Sequence, residues 1–299
     1  MALAGRHDME PAQVLLGNGS TQLIYLLCAA LRPRKALIVG PAFSEYANAL
    51  ALGGVNIRQF TLAADDGFHF SMQRFTPAWD KDCDIVFLTT PNSVTGQLIS
   101  RIDIQNLSDE AFARKCFVVV DEAFIDFIEG ESVKALARRN PYLIVLRSLT
   151  KYYALPGLRL GYLLAEASRV TQLAAYHEPW SVNGPALNVA LACLRDAGFV
   201  TRTKRWLERE RRFLWERLTA LEGFDPFPSR TNFLLVKIAT TGGDALQLRS
   251  FLLRKKILIR ACDSFAGLGT DYFRIAVRRR KDNWTLITAL EEWTASLIG

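Results

Sequence analysis

The run Arg147-Ser-Leu-Thr-Lys-Tyr-Tyr-Ala-Leu-Pro-Gly-Leu-Arg-Leu-Gly-Tyr162 sets an amine, two hydroxyls and a guanidinium close together along the chain. Lys151 follows the apolar run Tyr142–Leu146, expected to be a buried strand, where an unpaired ammonium is costly. A lysine there needs a partner or a reason to be neutral. Condensation with a carbonyl supplies such a reason, because imine chemistry uses the unprotonated amine. Ser148 and Thr150 bring hydroxyls, and the planar fork of Arg159 suits a phosphate. The same residues also describe a surface lysine at a strand end before a Pro-Gly turn, so this segment alone decides little.

Four further segments carry candidate chemistry. Val118-Val-Val-Asp121 ends an apolar strand with a carboxylate, at the strand end where α/β sheets bind ligands. A buried carboxylate there can keep a pyridinium nitrogen protonated; it can equally be an ordinary helix cap. Leu16-Gly-Asn-Gly-Ser-Thr21 opens a helix with glycines and hydroxyls, which offers free backbone N–H groups to a phosphate. It lacks the Gly-Lys-Ser/Thr ending of a Walker loop. Thr90-Pro-Asn-Ser-Val-Thr-Gly96 is a polar turn after a strand, and Pro41-Ala-Phe43 places an aromatic just past another, where it could stack on a ring or simply fill the core.

The elements that must position these residues follow from hydrophobic pattern. Continuous apolar runs predict strands at Ala36–Val39, Asn56–Phe60, Ile85–Leu88, Cys116–Val120, Tyr142–Leu146 and Leu160–Leu164. Helical patterns fall between them, at Thr21–Leu31, Ser44–Leu52 and Ser108–Arg114. This alternation predicts an α/β domain of three layers with a mostly parallel sheet. After Trp180 comes a long helical region, from about Pro185 to Leu221, broken near Ala197-Gly198. Beyond it, Thr231–Lys237, a helix near Gly243–Lys255, Ile257–Arg260, Tyr272–Val277 and a helix from Asp282 read as a smaller α+β unit. The expected division is residues 1–188 for the large domain and 189–299 for the helix and small domain.

Composition narrows the function classes. Half of the 299 residues are hydrophobic, yet no run approaches a membrane span. The opening MALAGRHDMEPAQ lacks the order of a secretion signal, so a cytoplasmic location is expected. Five scattered cysteines argue against a disulfide framework, and three isolated histidines against a zinc site. The net charge of +7 favours anionic partners. Its basic residues cluster at Arg202–Arg217 and Arg278–Lys281, and the first run alternates with Trp206, Leu207, Phe213, Leu214 and Leu218 at helical spacing. That spacing describes a solvated helix face rather than a nucleic-acid surface.

Taken in order, the five segments resemble the fold-type I pyridoxal-phosphate enzymes of the class I/II aminotransferase group, over about Gln13 to Leu297. Within that group the chain looks most like the threonine-phosphate decarboxylases of cobamide side-chain synthesis. The histidinol-phosphate aminotransferases are the next branch. Pro41-Ala-Phe-Ser-Glu-Tyr46, Asp121-Glu-Ala-Phe-Ile-Asp-Phe127 and Pro179-Trp-Ser-Val-Asn183 carry the decarboxylase likeness.

The resemblance implies pyridoxal 5′-phosphate as cofactor and decarboxylation of O-phospho-L-threonine to aminopropanol phosphate. A transamination on the same residues, or a truncated non-catalytic cofactor-binding protein, are the alternatives. Lys151 would be the Schiff-base lysine, Asp121 the partner of the pyridine nitrogen, and Phe43 the ring-stacking residue. Ser20 and Thr21, through their backbone, would hold the cofactor phosphate with Ser148, Thr150 and Arg159. Arg274 would take the substrate carboxylate and Arg260 its phosphate. A homodimer with the site at the subunit boundary is implied too. Three departures stand out. Ser93 occupies the place of the asparagine that bonds the ring's phenolic oxygen, with Asn92 adjacent. Phe124 stands where aminotransferases have a tyrosine bonding that same oxygen. And relatives carry several tens of residues before the part matching Gln13, a segment that covers the substrate and is expected to be missing here.

Overall fold

The central strands form where the chain runs apolar on both faces, whereas the edge strand at Asn56–Thr61, expected as an apolar run, carries Asn56, Arg58 and Gln59 exposed. The computed structural model describes residues 1–240 and 242–298. Its large sheet contains β1 (Val14–Asn18), β2 (Lys35–Gly40), β3 (Asn56–Thr61), β4 (Ile85–Thr89), β5 (Phe117–Asp121), β6 (Leu143–Ser148) and β7 (Leu160–Leu164), in the order β1-β7-β6-β5-β4-β2-β3. Strands β2 to β6 are parallel, while β7 runs antiparallel to both β6 and β1. Successive residues feed opposite layers. Val118 and Val120 join one apolar cluster with Ile104, Leu107 and Ala111, and Val119 joins the other with Leu23, Leu27 and Leu50. The sheet is therefore the middle of three layers, as the uninterrupted apolar runs predict.

The small sheet holds β8 (Phe224–Pro226), β9 (Phe233–Ile238), β10 (Arg260–Ala261) and β11 (Tyr272–Ala276), all antiparallel, in the order β10-β11-β9-β8. Helices Ala245–Arg254 and Arg280–Ile298 accompany it. Among the described residues no helix is long and apolar enough to cross a membrane.

Several boundaries differ from expectation for local reasons. The helix expected at Ser108–Arg114 begins at Arg101, because Ser100 caps it by accepting from the Asp103 N–H at 3.1 Å. The long helical region breaks at Asp196, whose carboxylate accepts from the Phe199 N–H at 2.7 Å and starts a new helix, Ala197–Thr219. Strand β1 was not expected, since its apolar run is short and carries Gly17. Tertiary pairing makes it a strand: Val14 to Asn18 lie in register with Leu164 to Leu160.

Behind the carboxyl ends of β5 and β6 lies an ion cluster with no counterpart in the sequence reading. Arg147 is completely buried. Its Nη1 donates to Glu122 Oε2 at 3.1 Å, and its Nη2 reaches Glu129 and, at 3.2 Å, Asp126. Glu122 also accepts from the Ser132 hydroxyl and the Val133 N–H, both at 2.7 Å. Burial works against the charge on Glu129, but Arg147 and Lys134 outweigh it and hold its pKa down to about 2. Burial, reinforced by Arg147, drives His7 down to about 3, so the ring is neutral where Nε2 meets the Tyr162 hydroxyl at 2.7 Å. Arg147→Met should leave buried carboxylates uncompensated and destabilise the protein by about 3–5 kcal/mol near neutral pH. The deficit should shrink in acid, where those carboxyls protonate. Urea unfolding at two pH values measures both, and an unchanged midpoint would refute the cluster's role.

Candidate active site

The carboxyl ends of β4, β5 and β6 open onto a cavity of about 390 Å³. Three local devices build its floor and walls. First, the helix Gly19–Leu31 points its N-terminus inward, with Ser20 and Thr21 in the opening turn. Gly19 has φ 75°, and a Cβ there would lie 2.5 Å from Arg159 Nη2, so the guanidinium sits directly over this turn. Gly161 of β7 permits the approach from below, since a Cβ on it would come within 2.3 Å of the Ser20 nitrogen. Ser148 and Thr150 face the same place, their hydroxyl oxygens 2.7 Å apart. Free N–H groups, hydroxyls and a guanidinium thus converge on one point, the donor set for a phosphate.

Second, Lys151 stands on the short turn Leu149–Tyr152 directly after β6. It is exposed to the cavity's solvent rather than buried as expected. The surrounding walls still remove part of its hydration, and this desolvation, with the charges of Arg274 and Arg159, lowers its pKa; Asp121 opposes them. Its amine is therefore easier to neutralise than an ordinary lysine's.

Third, Asp121 ends β5 with its carboxylate buried at the cavity floor. Oδ2 accepts from the Tyr46 hydroxyl at 2.6 Å and Oδ1 from the Ala123 N–H at 2.9 Å. Burial raises its pKa, while Tyr46, the Ala123 N–H and Lys151 pull it back. Phe43, 37 % exposed, lines the cavity and meets Tyr46 edge-on, with ring centroids 5.9 Å apart.

The small sheet supplies the rim. Arg260 and Arg274 are cross-strand partners on β10 and β11, so two guanidinium side chains start directly opposite each other. Like charges in that position repel, which makes sense where an anion is to be held. Arg274 stacks on Phe233 at 4.6 Å and donates to the Ser93 carbonyl. Arg260 donates to the Ser264 hydroxyl at 3.0 Å. Phe124 packs edge-on against Phe233 at 5.3 Å and offers the cavity no hydroxyl. An adjoining chamber of about 720 Å³ shares Phe124, Lys151, Arg260 and Arg274 and adds Arg249, Asn232 and Asp263.

Twelve expected residues thus meet around one cavity: Ser20, Thr21, Phe43, Ser93, Asp121, Phe124, Ser148, Thr150, Lys151, Arg159, Arg260 and Arg274. Asn92 does not join them. Its amide is occupied in shaping the turn, donating to the Pro41 carbonyl at 2.9 Å and accepting from the N–H groups of Val94 and Thr95. Tyr46 and Arg249 were not expected at the site. Tyr46 lies one helical turn after Phe43, a spacing that places both near one strand end, whereas nothing in the local sequence marks Arg249.

The donor set matches a phosphorylated pyridine aldehyde: a phosphate cradle at one end, an amine for the aldehyde, and a buried carboxylate for the ring nitrogen. Comparison with known proteins agrees. The family model for aminotransferase class I and II matches residues 1–290. The chain is 38 % identical over 295 residues to threonine-phosphate decarboxylase of Salmonella typhimurium, covering 97 % of this chain and 79 % of that protein. It superposes on the histidinol-phosphate aminotransferase of Clostridium acetobutylicum with a TM-score of 0.92 at 26 % identity, covering 99 % and 88 % of the two chains. The L-threonine-O-3-phosphate decarboxylase of Porphyromonas gingivalis superposes with a TM-score of 0.86 at 28 % identity, covering 98 % and 87 %. The chain belongs to the class I and II aminotransferase family of pyridoxal 5′-phosphate-dependent enzymes.

Proposed function

We propose that this chain decarboxylates O-phospho-L-threonine, giving aminopropanol phosphate and carbon dioxide, with its cofactor held in the 390 Å³ cavity. The observation that carries the reading is the cross-strand pair Arg260 and Arg274 on the rim shared with Lys151. Two guanidinium groups suit a substrate with two anionic ends, and the Salmonella relative named above is a threonine-phosphate decarboxylase.

In this reading residues 1–188 hold the cofactor, and residues 189–299 bring the two arginines over it. Ser20, Thr21, Ser148, Thr150 and Arg159 bind the phosphate. Lys151 supplies the amine that holds the aldehyde and yields it to the substrate. When bound, the cofactor supplies an electron-withdrawing ring that takes up the pair left by the breaking bond. Asp121 keeps a proton on the ring nitrogen, and Phe43 covers one ring face. Arg274 orients the substrate carboxylate, and Arg260 and Arg249 face its phosphate. A homodimer belongs to the same reading, supported by the nearly fully exposed Trp180 and by Leu187 and Leu191 on the helix that follows.

The second reading is transamination of histidinol phosphate, favoured by the TM-score of 0.92. A product assay separates the two. Carbon dioxide released from O-phospho-L-threonine with no oxo-acid present supports decarboxylation; amino transfer to an added oxo acid without gas release refutes it.

Three variants probe the roles. Lys151→Ala should abolish the visible absorbance of the purified protein and let the cofactor dialyse away. Gly161→Ala should push the Ser20 turn off the phosphate position and weaken cofactor binding, measured by equilibrium dialysis. Arg260→Gln should raise KM for O-phospho-L-threonine about 10- to 100-fold, the loss expected for a hydrogen bond to a charged group, with little change for L-threonine.

A further inference from the structure

We propose that Tyr46 is a positioning residue that fixes Asp121 where it would meet the cofactor's ring nitrogen and ties it to Phe43, the aromatic that would cover the ring. This rests on the reading that Asp121 faces the ring nitrogen, and goes beyond it to say what keeps that carboxylate charged and in place.

Tyr46 is fully buried below the cavity floor, in the helix Ser44–Leu52. Its oxygen touches two groups: Asp121 Oδ2 at 2.6 Å and Thr89 Oγ1 at 2.9 Å. An ionised carboxylate has no hydrogen to give, so the tyrosine proton points at Asp121. The Thr89 hydroxyl must then donate to the tyrosine, and the three form a directed relay, Thr89 to Tyr46 to Asp121. Strand pairing sets its span, because Thr89 and Asp121 are register partners at the ends of β4 and β5. The tyrosine ring cannot turn away. It stacks on Phe87 with centroids 5.1 Å apart and planes 19° from parallel, and it meets Phe43 edge-on at 90°.

Two consequences follow. Asp121 Oδ2 has no other protein donor among the described residues, and burial favours the neutral carboxyl. The tyrosine hydrogen bond is therefore what a charged Asp121 leans on most directly at that oxygen. In addition, Phe43 caps the very helix that carries Tyr46, so one rigid element sets both the covered ring face and the partner of the ring nitrogen. A carboxylate aimed this way holds the ring proton without having to reorganise as the substrate reacts.

The test is Tyr46→Phe, which keeps the ring packing on Phe87, compared with Asp121→Asn and with the double variant. The dissociation constant of pyridoxal 5′-phosphate is measured by equilibrium dialysis, followed by visible absorbance, across a pH series from acid to neutral. Loss of a hydrogen bond to a charged group should weaken binding by Tyr46→Phe about 10-fold or more near neutral pH. The acid limb of the binding curve should move to higher pH, because a carboxyl deprived of its donor protonates more readily. In the Asp121→Asn background the tyrosine change should add almost nothing. Unchanged affinity and an unmoved acid limb, or fully additive losses in the double variant, overturn the proposal. Thr89→Val, which leaves both rings and the carboxylate, should move the same limb in the same direction by less; it carries the test if the phenylalanine variant does not fold, and an unmoved limb again overturns the relay. Should Asp121→Asn bind the cofactor as tightly as the parent, the reading that Asp121 faces the ring nitrogen fails, and the proposal with it. If only Tyr46→Phe is without effect, that reading stands and the role of the tyrosine does not.

Discussion

A guanidinium wholly withdrawn from water must be surrounded by carboxylates, and Arg147 imposes that constraint on everything around the cavity. Glu122, Asp126 and Glu129 close on it from the loop that follows β5. Two members of the cluster have a cavity residue as chain neighbour. Asp121 precedes Glu122, and Ser148 follows Arg147. Fixing one member of each pair in an ion cluster behind the sheet leaves the other with little freedom at the front. The short helix Ala2–His7 joins the same cluster through His7, whose neutral ring lies between Lys134 and the Tyr162 hydroxyl on β7. Charge thereby ties β6 to the segment after β5, and a neutral hydrogen bond extends the tie to β7.

The front of the sheet has the opposite electrostatic character. Lys151, Arg159, Arg260 and Arg274 line the cavity, with Asp121 buried beneath them. Such an excess of positive charge costs folding energy in the empty protein and is relieved when anions enter. The arrangement therefore favours ligands with several negative charges, which a phosphorylated cofactor and a phosphorylated amino acid both provide. Partial burial first, and then the charges of Arg274 and Arg159, depress the pKa of Lys151, which suits the free amine that the proposed function asks of it.

Tyr46 connects these two regimes. It sits among apolar rings, yet its hydroxyl carries the polar chain from Thr89 to Asp121. In a buried setting each such bond is strong, and each missing partner is expensive. The site thus combines a rigid aromatic wedge with a directed hydrogen bond, both carried by the helix Ser44–Leu52, whose Tyr46 stacks on Phe87 of β4.

Much of this was legible before the fold was known. The apolar runs at β2 and at β4 to β7 marked a sheet covered on both faces, because strands buried twice cannot alternate polar and apolar residues; the edge strand β3 is half polar and largely exposed. The glycines around Ser20 and Thr21, the strand-ending Asp121 and the spacing from Ser148 to Arg159 were each ambiguous alone; it was their order along the chain, which resembles that of the pyridoxal-phosphate enzymes, that pointed to one shared site. What the sequence could not decide is partnership across the chain. Whether Asn92 faces the cavity or folds its own turn depends on the Pro41 carbonyl, which is distant in sequence. The opposition of Arg260 and Arg274 depends on strand register, and a one-residue slip would send one of them to the other face. Tyr46 could be read as another buried aromatic until Asp121 was seen 2.6 Å from its hydroxyl. Composition and spacing determine which groups are available and which element carries them; only the packing of elements determines which pairs come close enough, and dry enough, for charge and hydrogen bonds to act.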